Sequence, residues 1–113
     1  MDLTATIAAA CGVKAPEKEP FDGIDLLPIL TGRAPLQDRD LFWRINRPNI
    51  RVRAVRSGKW KLILDGNINN LYDLVADPGE TRDLYYIHPE MAASLRAKLD
   101  AWEKSLLTSA ATA

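Results

Sequence analysis

What this chain can fold into is constrained first by Ile50 to Leu64, IRVRAVRSGKWKLIL, where Ser57-Gly58 separates two runs rich in β-branched and aromatic residues. That pattern predicts a β-hairpin. The apolar spacing then predicts its register. A two-residue loop at Ser57-Gly58 sets Val55 against Trp60 and Arg53 against Leu62, so each face mixes apolar with charged residues. A three-residue loop, Arg56-Ser57-Gly58 with Gly58 left-handed as a bulge, pairs Ala54 with Trp60, Val52 with Leu62 and Ile50 with Leu64. One face is then wholly apolar, and the other carries Arg51, Arg53, Lys59 and Lys61. Arg53 lies opposite Lys61 in this arrangement, a mildly repulsive pair. A one-residue slip would move every side chain to the other face, so the second register is expected, with Ile50, Val52, Ala54, Trp60, Leu62 and Leu64 facing the core.

The flanking segments extend the hairpin into a meander. Asp40 to Ile45, DLFWRI, alternates as a strand, with Leu41, Trp43 and Ile45 on one face and Phe42 and Arg44 on the other. Asn46-Arg47-Pro48-Asn49 and Asp65-Gly66-Asn67 have turn chemistry. Asn70 to Leu74 is a short fourth strand, followed by a tight turn at Asp77-Pro78-Gly79. Pro89 and Glu90 suit the start of a helix that His88 opens. Met91, Leu95, Leu99, Trp102 and Leu106 then recur at spacings of three and four, an amphipathic stripe suited to cover the sheet.

Upstream, Asp2 to Cys11 reads as a short helix capped by Asp2 and ended by Gly12. Ten or so residues are marginal for an isolated helix, so it must pack on something. It begins almost at Met1, as though a boundary had been cut into a larger protein. A charged, proline-containing linker leads to DGIDLLPILTG, a second short helix with Asp25 as its cap, Pro28 in its first turn and Gly32 at its end. The fold class expected is α+β: a four-stranded antiparallel sheet covered by a long C-terminal helix and preceded by short N-terminal helical segments. Residues 1–36 form a helical lead-in, and residues 37–113 a sheet-plus-helix subdomain.

Bulk properties exclude several classes. The 113 residues suffice for one modest core, and 47% hydrophobic with 27% charged residues is ordinary for a globular protein. Zero net charge gives no case for nucleic acid or an anionic membrane as a partner. A single Cys11 excludes an internal disulfide and a multi-cysteine zinc site. No apolar run approaches the roughly 20 residues that span a bilayer, and no basic segment precedes an apolar one at the N-terminus as in a signal peptide.

From Phe21 to Leu106 the chain resembles the C-terminal part of the type I, arylsulfatase-like sulfatases. The phrases that carry the resemblance are DGIDLLPILTG, LFWR, RAVRSGKWKLI, LYDLVADPGETRDL and HPEMAASLRAKLDAWEKSL, in that order and spacing. Asp2 to Gly12 with Pro16 is similar to the family's helix ahead of the first phrase. Asp83-Leu84 departs from the family's more usual Asn-Leu. The resemblance implies a parent of the alkaline-phosphatase-like superfamily that hydrolyses sulfate esters with a formylglycine and a divalent cation, usually calcium. It also implies the missing N-terminal catalytic domain as the partner. Without that domain a partly apolar docking surface is expected to be exposed, and such patches associate, so a homodimer through the first helix or the sheet is expected.

The catalytic parts of that family are not in these residues. Cys11 is followed by Gly-Val-Lys-Ala and does not match Cys/Ser-x-Pro/Ala-x-Arg. The one histidine, His88, is followed by proline, and the N-terminal aspartate pair is missing. Hydrolysis of a sulfate ester needs an activated nucleophile, cationic charge and an acid, and these residues do not supply that set. No catalytic, cofactor or metal residue is therefore expected here. Cys11 reads as a small buried residue, Asp22 and Asp25 as turn and cap residues, and Trp43, Trp60 and Trp102 as core.

Leu41 to Leu64 contains seven Arg or Lys and no acid. The ordinary explanation is a solvated face, or one paired with acids of another domain. The sharper one follows from the resemblance, which implies that the subdomain lies beside the active site with the loop between its first two strands shaping the substrate pocket. It puts rim candidates at Arg44, Asn46, Arg47 and Asn49, where a guanidinium would match a sulfate or carboxylate. The rival function is a free-standing module that binds an acidic ligand through its basic sheet face.

Overall fold

Gly58 turns the chain with φ +55°, the positive value that the first central position of a primed hairpin turn requires. In the computed structural model, which describes residues 1–17 and 20–110 (backbone alone for 107–110), the turn is Gly58-Lys59. Ser57 pairs with Trp60, Val55 with Leu62 and Arg53 with Leu64. This is neither of the two registers weighed from the sequence. β2 runs on to Ser57, so the expected three-residue bulge does not form; β2 exchanges its faces, whereas Trp60, Leu62 and Leu64 of β3 keep the expected one.

The chain divides into two compact units, Met1–Gln37 and Asp38–Ala113. In the first, α1 spans Asp2–Ala10 and α2 spans Leu27–Leu30. Asp2 is in the first turn of α1 rather than at its cap. Its carboxylate instead accepts from the Ile24 amide at 3.2 Å, and the Thr6 hydroxyl accepts from the Leu26 amide at 3.0 Å. Both tie the second segment to the first helix. Gly23 sits so close that an added Cβ would lie 2.3 Å from the Met1 backbone, so only glycine fits. The cap of α2 is Leu26 rather than the expected Asp25, whose carboxylate accepts from the Leu27 amide at 2.9 Å from one position further out. Cys11 is exposed, contrary to its expected burial, because it lies past the end of α1, whose buried residue is Ala5.

The second unit is an antiparallel meander with strand order β1-β2-β3-β4 and a long helix. The strands are β1 Asp40–Arg47, β2 Ile50–Ser57, β3 Trp60–Asp65 and β4 Ile68–Asp73, and the helix is α3, Pro89–Ala110. The α+β architecture expected from the sequence is therefore present. Four rows of side chains cross the helix side of the sheet. The first holds Asp40, Ser57, Trp60 and Asp73; the second Phe42, Val55, Leu62 and Leu71; the third Arg44, Arg53, Leu64 and Asn69; and the fourth Asn46 and Arg51.

The second row is the core. Val55, Leu62, Leu71, Leu95 and Leu99 are fully buried, and Phe42 stacks on Trp102 with ring centroids 5.1 Å apart. Ala92 joins this core, whereas Leu106, expected on the stripe, is exposed. Lys98 anchors the helix to the first row through Asp40 at 2.9 Å and the Ser57 hydroxyl. Ile50, Val52 and Ala54, expected beneath the helix, lie on the opposite face with Leu41, Trp43, Ile45 and Ile63. Trp43, expected in the core, is 46% exposed there.

The β4 end is closed by carboxylates. Asp73 accepts from the Lys59 ammonium at 2.6 Å and from the Val75 and Ala76 amides. Asp83 accepts from the amides of Leu71 and Tyr85, both at 2.9 Å, and so ties the connection before α3 to the sheet.

Leu62→Ala should cost about 2–5 kcal/mol in urea unfolding, since the site is fully enclosed and cannot readily collapse. The Lys59 hydrogen bond holds the Asp73 carboxyl below its ordinary 3.8; burial opposes this, and the Val75 and Ala76 amides reinforce it. A lowered folded value makes the ionised group favour the native state above pH 3.8, and that contribution is lost as the pH falls through the lower folded value. Unfolding followed from pH 6 down to roughly 2 should therefore show a shallower acid limb in Asp73→Asn than in the parent chain.

Candidate functional site

The third and fourth rows of the sheet end in a groove of about 780 Å³, bounded by β1 and β2, the β3–β4 turn and α3. Volumes of roughly 300–1,000 Å³ are usual for small-ligand sites. Arg44, Arg51, Arg53 and Arg96 line it, together with Asn46, Asn67, Asn69 and Glu103.

Arg44 and Arg53 are cross-strand partners, and like charges so placed repel. Glu103 of α3 relieves this by lying between them, 2.5 Å from Arg53 and 4.0 Å from Arg44. Asp100 is 3.0 Å from the same Arg53 nitrogen. Burial works against the Arg53 charge, but the hydrogen bonds and charges of Glu103 and Asp100 prevail and raise its pKa above the ordinary value. Arg53 is thus a structural cation that fastens α3 to β2, not a residue facing away from the helix.

Arg51 and Arg96 differ from it. Arg96 donates to the Asn69 side-chain oxygen and the Tyr85 hydroxyl, each at 3.3 Å, and both acceptors are neutral. Arg51 is exposed at the groove mouth, opposite Asn46 on β1. Among the described residues, neither guanidinium has a carboxylate within ion-pair distance.

The four rim candidates from the sequence divide. Arg44 and Asn46 line the groove. Arg47 pairs with Ile50 on the opposite face, and Asn49 is in the β1–β2 turn; neither lines it. The continuous basic face expected of β2 and β3 does not form. Arg51 and Arg53 point to the helix side, Lys61 lies on the other side and pairs with Glu80 at 2.6 Å, and Lys59 is in the turn. Arg53 faces Leu64 rather than Lys61, so the expected repulsion between them is absent.

Sequence reasoning missed Arg96, Asn67 and Asn69 as groove residues. Asn67 read as a turn residue and Arg96 as part of a helix, and Arg96 meets Asn69 across 27 positions of chain. No local pattern links them.

The residues present do not assemble the donor set for a divalent cation: no group of three His, Cys, Asp or Glu side chains comes together among the described residues. Exposed Cys11, in its Gly-Val-Lys-Ala context, does not fit a formylglycine precursor. His88 stacks edge-on against Trp60, 5.3 Å between centroids, and its carbonyl accepts the first-turn amide of Ala92. It serves as a helix-start residue. No described helix is long and apolar enough to cross a membrane.

No family model matches the chain, and no curated protein matches it. Solved structures do. A 2-O GAG sulfatase is 28% identical, with a TM-score of 0.69, over 92% of this chain and 24% of its own. A protein solved in work on glycosaminoglycan metabolism by Bacteroides thetaiotaomicron is 25% identical, with a TM-score of 0.72, over 91% of this chain and 24% of its own. Ps i-CgsB, in complex with a neocarrahexaose, shares the fold with a TM-score of 0.75 at 22% identity. The chain is thus similar to sulfatases along nine-tenths of its length and spans about a quarter of theirs. That likeness is consistent with the resemblance to a sulfatase C-terminal region that its ordered phrases carry.

Arg53→Met should destabilise the chain by about 1–3 kcal/mol, because it strands Asp100 and Glu103 beside the sheet. Lys61→Met, which breaks a single pair, should cost less than about 1 kcal/mol. Urea titrations of the two variants compare them directly.

Proposed function

We propose that this chain is the C-terminal part of a sulfatase, a sulfuric ester hydrolase, with no catalytic residue of its own. It packs on the catalytic domain and borders that domain's substrate site. The observation that carries this is the outer face of the sheet. Leu41, Trp43, Ile45, Ile50, Val52, Ala54 and Ile63 form an apolar surface on the side away from α3. Trp43, Ile45 and Ile50 on it are each close to half exposed. Contiguous apolar surface of this kind marks an interaction site. Likeness to about a quarter of each solved sulfatase supports a much larger domain as its occupant.

The groove lies at the end of the same sheet, on the other side, and its cationic lining suits the approach of a sulfate ester. Two of the similar proteins are named for glycosaminoglycans and a third was solved with a carrageenan-type hexaose, so the substrate class on this reading is a sulfated saccharide. Formylglycine and the divalent cation would belong to the catalytic domain.

Two measurements test the proposal. The 113-residue chain alone should release no sulfate from an aryl sulfate or a sulfated oligosaccharide. The open reading frame joined upstream of Met1 should contain Cys/Ser-x-Pro/Ala-x-Arg and release it. Sulfatase activity in the lone chain, or an upstream sequence without that motif, would overturn the reading. In addition, the lone chain should self-associate through Trp43 and Ile45, and Trp43→Asp with Ile45→Asp should make it monomeric in light scattering. A strict monomer before substitution would count against a docking role for this face.

A further inference from the structure

We propose that the groove between α3 and the end of the sheet is a binding site for an acidic saccharide, in which Arg51 and Arg96 hold a carboxylate or sulfate and Asn46, Asn67 and Asn69 hold ring hydroxyls. The proposal rests on this end of the sheet bordering a substrate site, but its test does not.

Charge balance is the first support. Four guanidiniums line the groove, and the carboxylates against them are Glu103, between Arg53 and Arg44, and Asp100, on Arg53. Two positive charges are left over in a chain whose net charge is zero. A concave surface lined by one sign of charge concentrates counter-ions.

The second support is how Arg96 is held. It is half-buried, and its hydrogen bonds go to a neutral amide oxygen and a neutral hydroxyl. These orient the guanidinium without cancelling its charge. An arginine carries five N–H donors in a fixed fork, and the Arg96 contacts with Asn69 and Tyr85 share one terminal nitrogen, Nη2. The Nε and Nη1 donors that remain can each reach an oxygen of a carboxylate or sulfate.

The third support is the rest of the lining. An amide side chain both donates and accepts, as the vicinal hydroxyls of a sugar require. Buried Leu64 floors the groove, and no aromatic ring lines it. Single-stranded nucleic acids are gripped by stacking on aromatic side chains, so the absence of rings from this lining favours a saccharide.

Isothermal titration of the 113-residue chain at low salt tests this with three oligosaccharides of equal length: a sulfated one from heparin, an unsulfated oligogalacturonate and neutral maltohexaose. Saturable binding of the sulfated chain assigns the groove to sulfate, of the uronate to carboxylate, and of both to either anion. Arg51→Gln with Arg96→Gln should weaken that binding by about tenfold or more, and Arg51→Gln alone, at an exposed position that leaves the fold intact, by about threefold. Arg56→Gln removes the same charge from the opposite face and should change it by less than about twofold. Binding of neither acidic oligosaccharide, equal binding of maltohexaose, or an equal loss in Arg56→Gln would overturn the proposal. If binding fails while the joined protein still releases sulfate, the groove assignment falls and the subdomain reading stands.

Discussion

The arrangement of the second unit depends on one cross-strand pair, Ser57 with Trp60 across Gly58-Lys59. It selects which half of β2 lies beneath α3. With this pairing, Val55 and Leu62 meet Phe42 and Leu71 in a single apolar row, which Leu95 and Leu99 cover. Moving the pairing by one residue would set Ala54 against Leu62 on the helix side and lift Val55 out. Because side chains alternate strictly along a strand, no local adjustment could restore the core. The positive φ of Gly58 makes the two-residue turn accessible at low cost, and the packing of the row makes it the one adopted.

The same pairing distributes the charge. Placing Val55 under the helix also places Arg53 and Arg51 there. Arg53 is tolerable in that position because Asp100 and Glu103 lie one and two turns further along the same helix face as Arg96 and Leu99. Beyond this ion-paired row the helix and sheet diverge, and Arg51 and Arg96 line the resulting groove without carboxylates of their own. The sheet consequently has two different sides. One is a partly exposed apolar surface, and the other is a core that opens into a polar, cationic pocket at one end.

The sequence already contained much of this. Strand alternation at Leu41, Trp43 and Ile45, the Gly-centred turns, the proline at the start of α3 and its leucine spacing are local patterns, and local backbone preference determines them. The ordered phrases from DGIDLLPILTG to HPEMAASLRAKLDAWEKSL carried the likeness to sulfatases, and the missing nucleophile motif was equally plain. The groove was legible only in part. Arg44 and Asn46 were picked out by their nearness to a loop, but that same criterion brought in Arg47 and Asn49, which the strand's alternation sends elsewhere.

The sequence by itself determined the elements, their order and the family resemblance, because each depends on residues close together or on a pattern that survives without coordinates. The tertiary structure alone decided the register of the central hairpin and the neighbours of its arginines. The apolar pattern argued that the helix should cover Ile50, Val52 and Ala54, and those residues do form an apolar face, but the other one. Both faces of this sheet are apolar at the centre, so alternation could not say which one the helix would choose. That choice turned on the packing of Val55 and Leu62 against Leu95 and Leu99, and on carboxylates of α3 some 50 residues from Arg53 that make its place there tolerable; only the folded chain brings these within reach.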